Sequence, residues 1–223
     1  MYKYLLFDAD NTLLDFDEAE KQALMGTLSL CPLGFSEEVY ERYHIINDIE
    51  WKKLERKETT REKLRIERFI KLFNEYGLDG EALGNKAADI YTEQLSTQGQ
   101  LMSNAEEVLK NLSEKYDCYI VTNGITDVQK ARISTTPLEK YIKYSFISQE
   151  MGSEKPSAAF FEKVFDFIGD SDISNYLIIG DSLSSDIAGA HTVGMDSVWI
   201  SKKGDSDIPT YRIRELEELY TIL

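Results

Sequence analysis

The stretch "YLLFDADNT", Tyr4 to Thr12, runs four apolar or aromatic residues straight into two aspartates one residue apart. A short run without polar alternation reads as a strand covered on both faces, the kind found in parallel sheets. Two carboxylates at its end then need an explanation. Like charges 4 Å apart at an effective dielectric of ~20 cost about 4 kcal/mol per pair. The stretch therefore asks for a strand in a layered α/β fold and for positive charge at its carboxyl end.

Working outward, the same kind of run recurs at "CYIV" (118–121), "YLII" (176–179) and "SVWI" (197–200), with "YSFIS" (144–148) as a further strand. Helical periodicity fills the intervals. Ala105, Val108, Leu109 and Leu112 share one face behind Asn104, which is expected to cap that helix. Phe160, Phe161, Val164, Phe165 and Ile168 share one face after Pro156 and Ser157. Strands alternating with helices predict an α/β fold, a doubly wound and mainly parallel sheet. One segment breaks the rhythm. From Asp15 to about Ser96 the pattern is helical throughout, with breaks at Cys31–Gly34 and Gly77–Gly84, and "STQGQ" (96–100) reads as the return. The expected organisation is an α/β core of residues 1–15 and 97–223 with an all-helical insertion at 16–96.

Composition sets outer bounds. The chain has 223 residues, 42% of them apolar and 29% charged, enough for a real core. Its net charge of −15 argues against a nucleic-acid polymer as partner, because such binding relies on neutralising phosphates with Lys and Arg. Two cysteines, Cys31 and Cys118, stand in unrelated contexts and fit a reducing cytoplasm. The start shows no signal-peptide pattern, and no apolar run approaches the ~20 residues that span a bilayer. The charge leaves room for a small anionic metabolite, which the strand-end residues narrow to a phosphorylated one; no membrane is expected, and the chain is expected to be a monomer or weak homodimer.

Each predicted strand end carries polar residues: Asp8, Asp10 and Thr12; then Thr122, Asn123 and Gly124; then "GDSLSSD" with Asp181 and Asp186. Lys155 stands before Pro156 at a predicted helix start. In a parallel sheet these ends converge on one crevice. Asp8, Asp10 and Asp181 brought together require a cation, and a small set of oxygen ligands suits Mg²⁺. Lys155 adds a second positive centre. Thr122 and the amides beside Asn123 and Gly124 can donate to phosphate oxygens. A carboxylate on a rigid strand end can act as nucleophile toward a phosphoryl group, and a second one two residues on can move protons. Asp8 is read as the first and Asp10 as the second.

The constellation resembles the haloacid dehalogenase-like phosphohydrolase superfamily. "DADNT", "VTNG", Lys155 in "SEKPSAAFF" and "GDSLSSD" match its four motifs in order along nearly the whole chain. The resemblance implies that Asp8 is nucleophile and Mg²⁺ ligand, and that Asp10 is acid/base and binds metal through its backbone carbonyl. It also implies that Thr122 and Lys155 hold the phosphate, that Asp181 binds metal, and that Asp186 supports the metal from behind. The insertion then looks like the family's helical cap, which chooses the leaving group. A closer resemblance, carried by "LLFDADNTLLDFD", "IVTNGITDVQKARI", "FISQEMGSEKP", "NDIEW" (47–51) and "ERF" (67–69), is to the YjjG-like pyrimidine nucleotidases. It implies a pyrimidine nucleoside 5'-monophosphate as substrate, with Trp51 and Arg68 as the cap residues expected to face the nucleoside.

Other readings stand beside these. A D-x-D alone would be a cap and a turn; it is the other three motifs that favour chemistry. Trp51 fits a cap core as well as a base stack. The basic run 52–68 carries eight Lys/Arg against four Glu and reads first as a solvated helix face. A sugar-phosphate phosphatase or phosphomutase shares the same core and remains the alternative. A receiver domain uses similar residues, but its phosphorylated Asp lies on a later strand, after the acidic pair. His44 and His191 receive no role.

Overall fold

The computed structural model describes residues 1–223, apart from the side chain of Glu55. The chain divides into two compact units, residues 1–17 with 99–223 and residues 18–98.

The first unit is built on a six-stranded sheet. Its strands are β1 (Tyr4–Phe7), β2 (Asp117–Thr122), β3 (Tyr144–Ile147), β4 (Tyr176–Gly180), β5 (Asp196–Ile200) and β6 (Tyr211–Ile213), in the spatial order β3-β2-β1-β4-β5-β6. Every neighbouring pair is parallel. The apolar runs are continuous because side chains alternate between two covered faces. Leu5, Phe7, Cys118, Ile120, Leu177 and Ile179 pack on one side with Ala105, Val108 and Leu109. Leu6, Tyr119, Val121 and Ile178 pack on the other with Phe160, Phe161 and Val164. The chain runs from β1 out to β2 and β3, then returns to place β4 on the other side of β1. The strand order reverses there, so the carboxyl ends of β1, β2 and β4 flank the crevice where ligands bind in such sheets.

Four helices follow β1 before the core resumes: α1 (Phe16–Leu28), α2 (Glu37–Glu55), α3 (Arg61–Glu75) and α4 (Gly80–Ser96). All but the first two residues of α1 belong to the second unit. Then come α5 (Ala105–Leu112), α6 (Thr126–Ser134), α7 (Ser148–Met151), α8 (Ala158–Ile168) and α9 (Ala188–Val193). Residues leaving and rejoining the core pair with each other: Asp15 N donates to Gln100 O at 2.9 Å and Met102 N to Leu13 O at 2.9 Å. Tyr43, Phe69, Phe73 and Tyr91 are fully buried and form the aromatic centre of the helical unit. No helix among the described residues is long and apolar enough to cross a membrane.

Three details differ from the sequence expectations. Gly84 does not break a helix; α4 starts at Gly80, behind Asp79, whose carboxylate accepts from Ala82 N at 3.1 Å. A Cβ at Gly84 would lie 2.5 Å from Ile70 Cγ1, so the glycine serves close helix packing. Asn104 precedes α5 but makes no side-chain cap; it sits at φ 59° and its amide reaches Glu217. The unit boundaries lie two residues beyond those expected.

Candidate active site

The site grows from the β1 end. Asp8 N donates to Ile179 O at 2.8 Å, which ties the first carboxylate to the adjacent β4 end. Three residues on, Asn11 takes a left-handed conformation, φ 55°, which Asn tolerates better than most residues. Its Oδ1 accepts from Phe16 N at 3.0 Å and Asp17 N at 3.2 Å, fixing the turn that carries Asp10.

Lys155 is buried beside this turn. Its ammonium donates to Asp8 Oδ1 at 2.6 Å, Asp186 Oδ1 at 2.6 Å and Val121 O at 2.7 Å. Those three bonds use all its hydrogens. Burial works against the charged lysine, but Asp186 and Asp8 outweigh it and hold its pKa above the ordinary value. The side chain of Asn123 keeps Lys155 in place: its Nδ2 donates to Lys155 O at 2.8 Å and its Oδ1 accepts from Lys155 N at 3.0 Å. Asn123 was expected at the phosphate; its side chain is spent on Lys155.

Asp8, Asp181 and Asp186 each offer a carboxylate oxygen within 4.8 Å of the others. Asp186 is fully buried, and a Cβ on Gly180 would lie 2.2 Å from its Oδ2, so "GD" opens room for "SSD". Trp199 Nε1 donates to Asp181 O at 2.8 Å and fixes the loop after β4. Three carboxylates thus face one ammonium, leaving two negative charges uncompensated. The strain shows in their protonation. Burial, with Asp186, Asp181 and Asp10 nearby, pushes Asp8 well above the usual carboxylate range, although Lys155 opposes this. Burial and Asp186 push Asp181 up to about 7. A set of hard oxygen donors short of two positive charges fits a divalent cation such as Mg²⁺.

Asp10 belongs to a second cluster. Its Oδ2 accepts from Gln129 Nε2 at 2.8 Å and its Oδ1 from Arg132. Gln129 Nε2 also donates to Thr122 Oγ1 at 2.9 Å, and Gly124 N donates to the same oxygen at 3.1 Å. Thr122 is buried at the end of β2. The core residues predicted from the sequence are therefore brought together at three strand ends. Gln129, Arg132 and Trp199 were missed; the only signal for the first two is a pair of long polar residues three apart on α6, a spacing that shares a helix face.

Within the helical unit, Arg68 on α3 is buried. Its NH1 donates to Asn47 Oδ1 at 2.8 Å and its guanidinium lies 4.5 Å from the Tyr91 ring centroid. Trp51 on α2 is partly exposed. His44 Nδ1 meets buried Glu20 at 2.6 Å.

Comparisons with known proteins agree with this picture. The model of the haloacid dehalogenase-like hydrolase family matches residues 5–200. The chain is 37% identical over 229 residues to the pyrimidine 5'-nucleotidase PynA of Streptococcus pneumoniae, covering 100% of this chain and 95% of that one. It is 27% identical over 230 residues to the pyrimidine 5'-nucleotidase YjjG of Escherichia coli, covering 100% and 98%. A crystal structure of YfnB from Bacillus subtilis, described as bound to magnesium, superposes with a TM-score of 0.92 at 36% identity, covering 100% of this chain and 98% of that one. The four motifs, the parallel sheet that assembles them and the matched family model make the chain a member of the haloacid dehalogenase-like hydrolase family.

Proposed function

We propose that the chain is a Mg²⁺-dependent phosphatase of pyrimidine nucleoside 5'-monophosphates, working in the cytoplasm through an aspartyl-phosphate at Asp8. The observation that carries the reading is the Asp8 carboxylate, held on a rigid strand end by Lys155 with Asp181 and Asp186 around it. Similarity to PynA and YjjG supports the substrate class.

An Asp8 carboxylate oxygen attacks phosphorus, and the bond from phosphorus to the nucleoside 5'-oxygen breaks. Asp10 gives its proton to that departing oxygen, so the nucleoside leaves as an alcohol. Asp10, now a carboxylate, takes a proton from water as the water oxygen attacks phosphorus. The bond from phosphorus to Asp8 breaks, releasing inorganic phosphate and restoring Asp8. Thr122 donates to a phosphoryl oxygen; the Lys155 ammonium, its hydrogens already taken by Asp8, Asp186 and Val121 O, supplies positive charge beside it, and the Gly124 amide acts through Thr122, to whose Oγ1 it donates. Asp8, Asp181, the backbone carbonyl of Asp10 and, from behind, Asp186 would hold Mg²⁺, which when bound supplies positive charge against the phosphoryl oxygens. Trp51 is assigned to the nucleoside, whereas Arg68, buried against Asn47 and Tyr91, is assigned to holding the helical unit together.

A screen of phosphorylated metabolites with the purified protein and Mg²⁺ tests this. UMP, dUMP and dTMP should rank among the best substrates. Turnover confined to sugar phosphates would replace the nucleotidase assignment with the sugar-phosphate reading.

A further inference from the structure

Two side chains on α6 take no part in these steps, yet both are buried: Gln129 is 1% exposed and Arg132 is 0% exposed. A buried guanidinium costs several kcal/mol unless it is paired and hydrogen-bonded. Arg132 meets that need on Asp10. It also donates from NH1 to Gln129 Oε1 at 3.1 Å.

That second bond settles which way the Gln129 amide faces. With Oε1 turned to Arg132, Nε2 is turned to Asp10 and Thr122, and it donates to both. The Thr122 hydroxyl then accepts from Gln129 Nε2 and from Gly124 N, which fills both lone pairs of its oxygen. Its own hydrogen has no acceptor among the described residues, so it is left to donate. Gly124 completes the device, since a Cβ there would lie 2.5 Å from Gln129 Cγ and push the amide away.

We propose that Gln129 and Arg132 are a positioning pair that sets the direction of the hydrogen bonds in the site. They make Thr122 an obligatory donor toward the phosphoryl group, and they hold Asp10 by both carboxylate oxygens in one orientation. Each of those oxygens keeps a lone pair for the proton it exchanges. The inference rests on the phosphatase reading above. An arginine that merely satisfied its own charge would need Asp10 alone; the link through Gln129 to Thr122 is what joins the proton donor to the phosphate holder.

The test is Gln129→Met, similar in size but unable to donate, with Gln129→Glu, its near-isostere, as a second variant should the first not fold. Melting curves identify folded protein. Inhibition by orthovanadate, which has no leaving group, reads the phosphoryl pocket. The kcat/KM ratio between the best alkyl phosphate of the screen and p-nitrophenyl phosphate reads protonation of the leaving oxygen, because p-nitrophenolate needs little help. Loss of one directed hydrogen bond should raise the vanadate Ki about tenfold. The alkyl-to-aryl ratio should fall by about tenfold or more, since general acid catalysis contributes 10²–10⁴-fold. Arg132→Lys should lower the same ratio. Folded variants with wild-type vanadate inhibition and an unchanged ratio would overturn the proposal, and a change in only one readout would overturn the half that the other reports. If the wild type hydrolyses no phosphate ester, the phosphatase reading itself falls, an outcome distinct from unchanged variants of an active enzyme.

Discussion

Lys155 lies 2.6 Å from Asp8 and, through the same ammonium, 2.6 Å from Asp186. Its third bond goes to Val121 O, so one side chain ties together the ends of β1 and β2 and the helical turn that follows β4. Its role is therefore structural before any phosphate arrives. Lys155→Met would leave two buried carboxylates unpaired. It should cost about 3–5 kcal/mol of stability, as breaking a buried pair does, besides abolishing activity. Urea unfolding of the variant measures this; an unchanged midpoint would refute the structural role.

The carboxylate cluster predicts a coupling between pH, metal and stability. Asp181 has a folded-state pKa raised to about 7. A pKa raised on folding contributes stability that is fully present below the unfolded value, about 4 for Asp. That contribution is lost as pH rises through the folded value. Metal-free protein should thus lose stability between about pH 4 and 7 from this group. Mg²⁺ should restore it, with a larger rise in Tm at pH 8 than at pH 5. Equal Tm shifts at both pH values would speak against the cluster as the binding site. EDTA should likewise abolish activity, and Ca²⁺ should restore it poorly because it favours looser geometry with more ligands.

Gly180→Ala should be a costly methyl. Its Cβ would meet Asp186 Oδ2 at 2.2 Å and must displace it. Such overpacking costs ~1–3 kcal/mol, and Lys155 would lose a partner. Thermal melts and kcat together check the change; a variant with normal stability and turnover would show that Asp186 can move freely.

Arg68 and Trp51 should behave differently. Arg68 is bonded to Asn47 and packed on Tyr91, so Arg68→Ala should cost about 2 kcal/mol by leaving Asn47 unsatisfied and removing packing. Its effect on activity should be similar for nucleotides and for p-nitrophenyl phosphate. Trp51→Ala should instead lower kcat/KM selectively for UMP, dUMP or dTMP, by roughly tenfold to hundredfold if an aromatic stack of ~1–3 kcal/mol is lost. Equal losses on both substrates would reduce Trp51 to a packing residue.

Much of this architecture is legible in the sequence because buried parallel strands announce themselves as continuous apolar runs. β6 escaped notice for the opposite reason: Tyr211-Arg-Ile213 is a three-residue edge strand with two exposed side chains. Gly84 misled because a glycine reads as a breaker until a neighbour such as Ile70 is seen to need its missing side chain. At the site, the strand-end motifs are legible since each lies within a few residues of a recognisable strand. Gln129 and Arg132 are not. Polar residues on a helix read as surface, and only the pairing of β2 beside β1 brings residue 132 to residue 10.

The central claim is that Asp8 carries the phosphoryl group. Borohydride reduces an acyl phosphate to the alcohol, so treating the enzyme during turnover and sequencing its peptides by mass spectrometry locates the phosphorylated carboxylate. The account predicts homoserine at position 8, dependent on substrate and absent from Asp8→Asn, which should itself be nearly inactive while still folded. Homoserine at another aspartate, or undiminished turnover by Asp8→Asn, would contradict it.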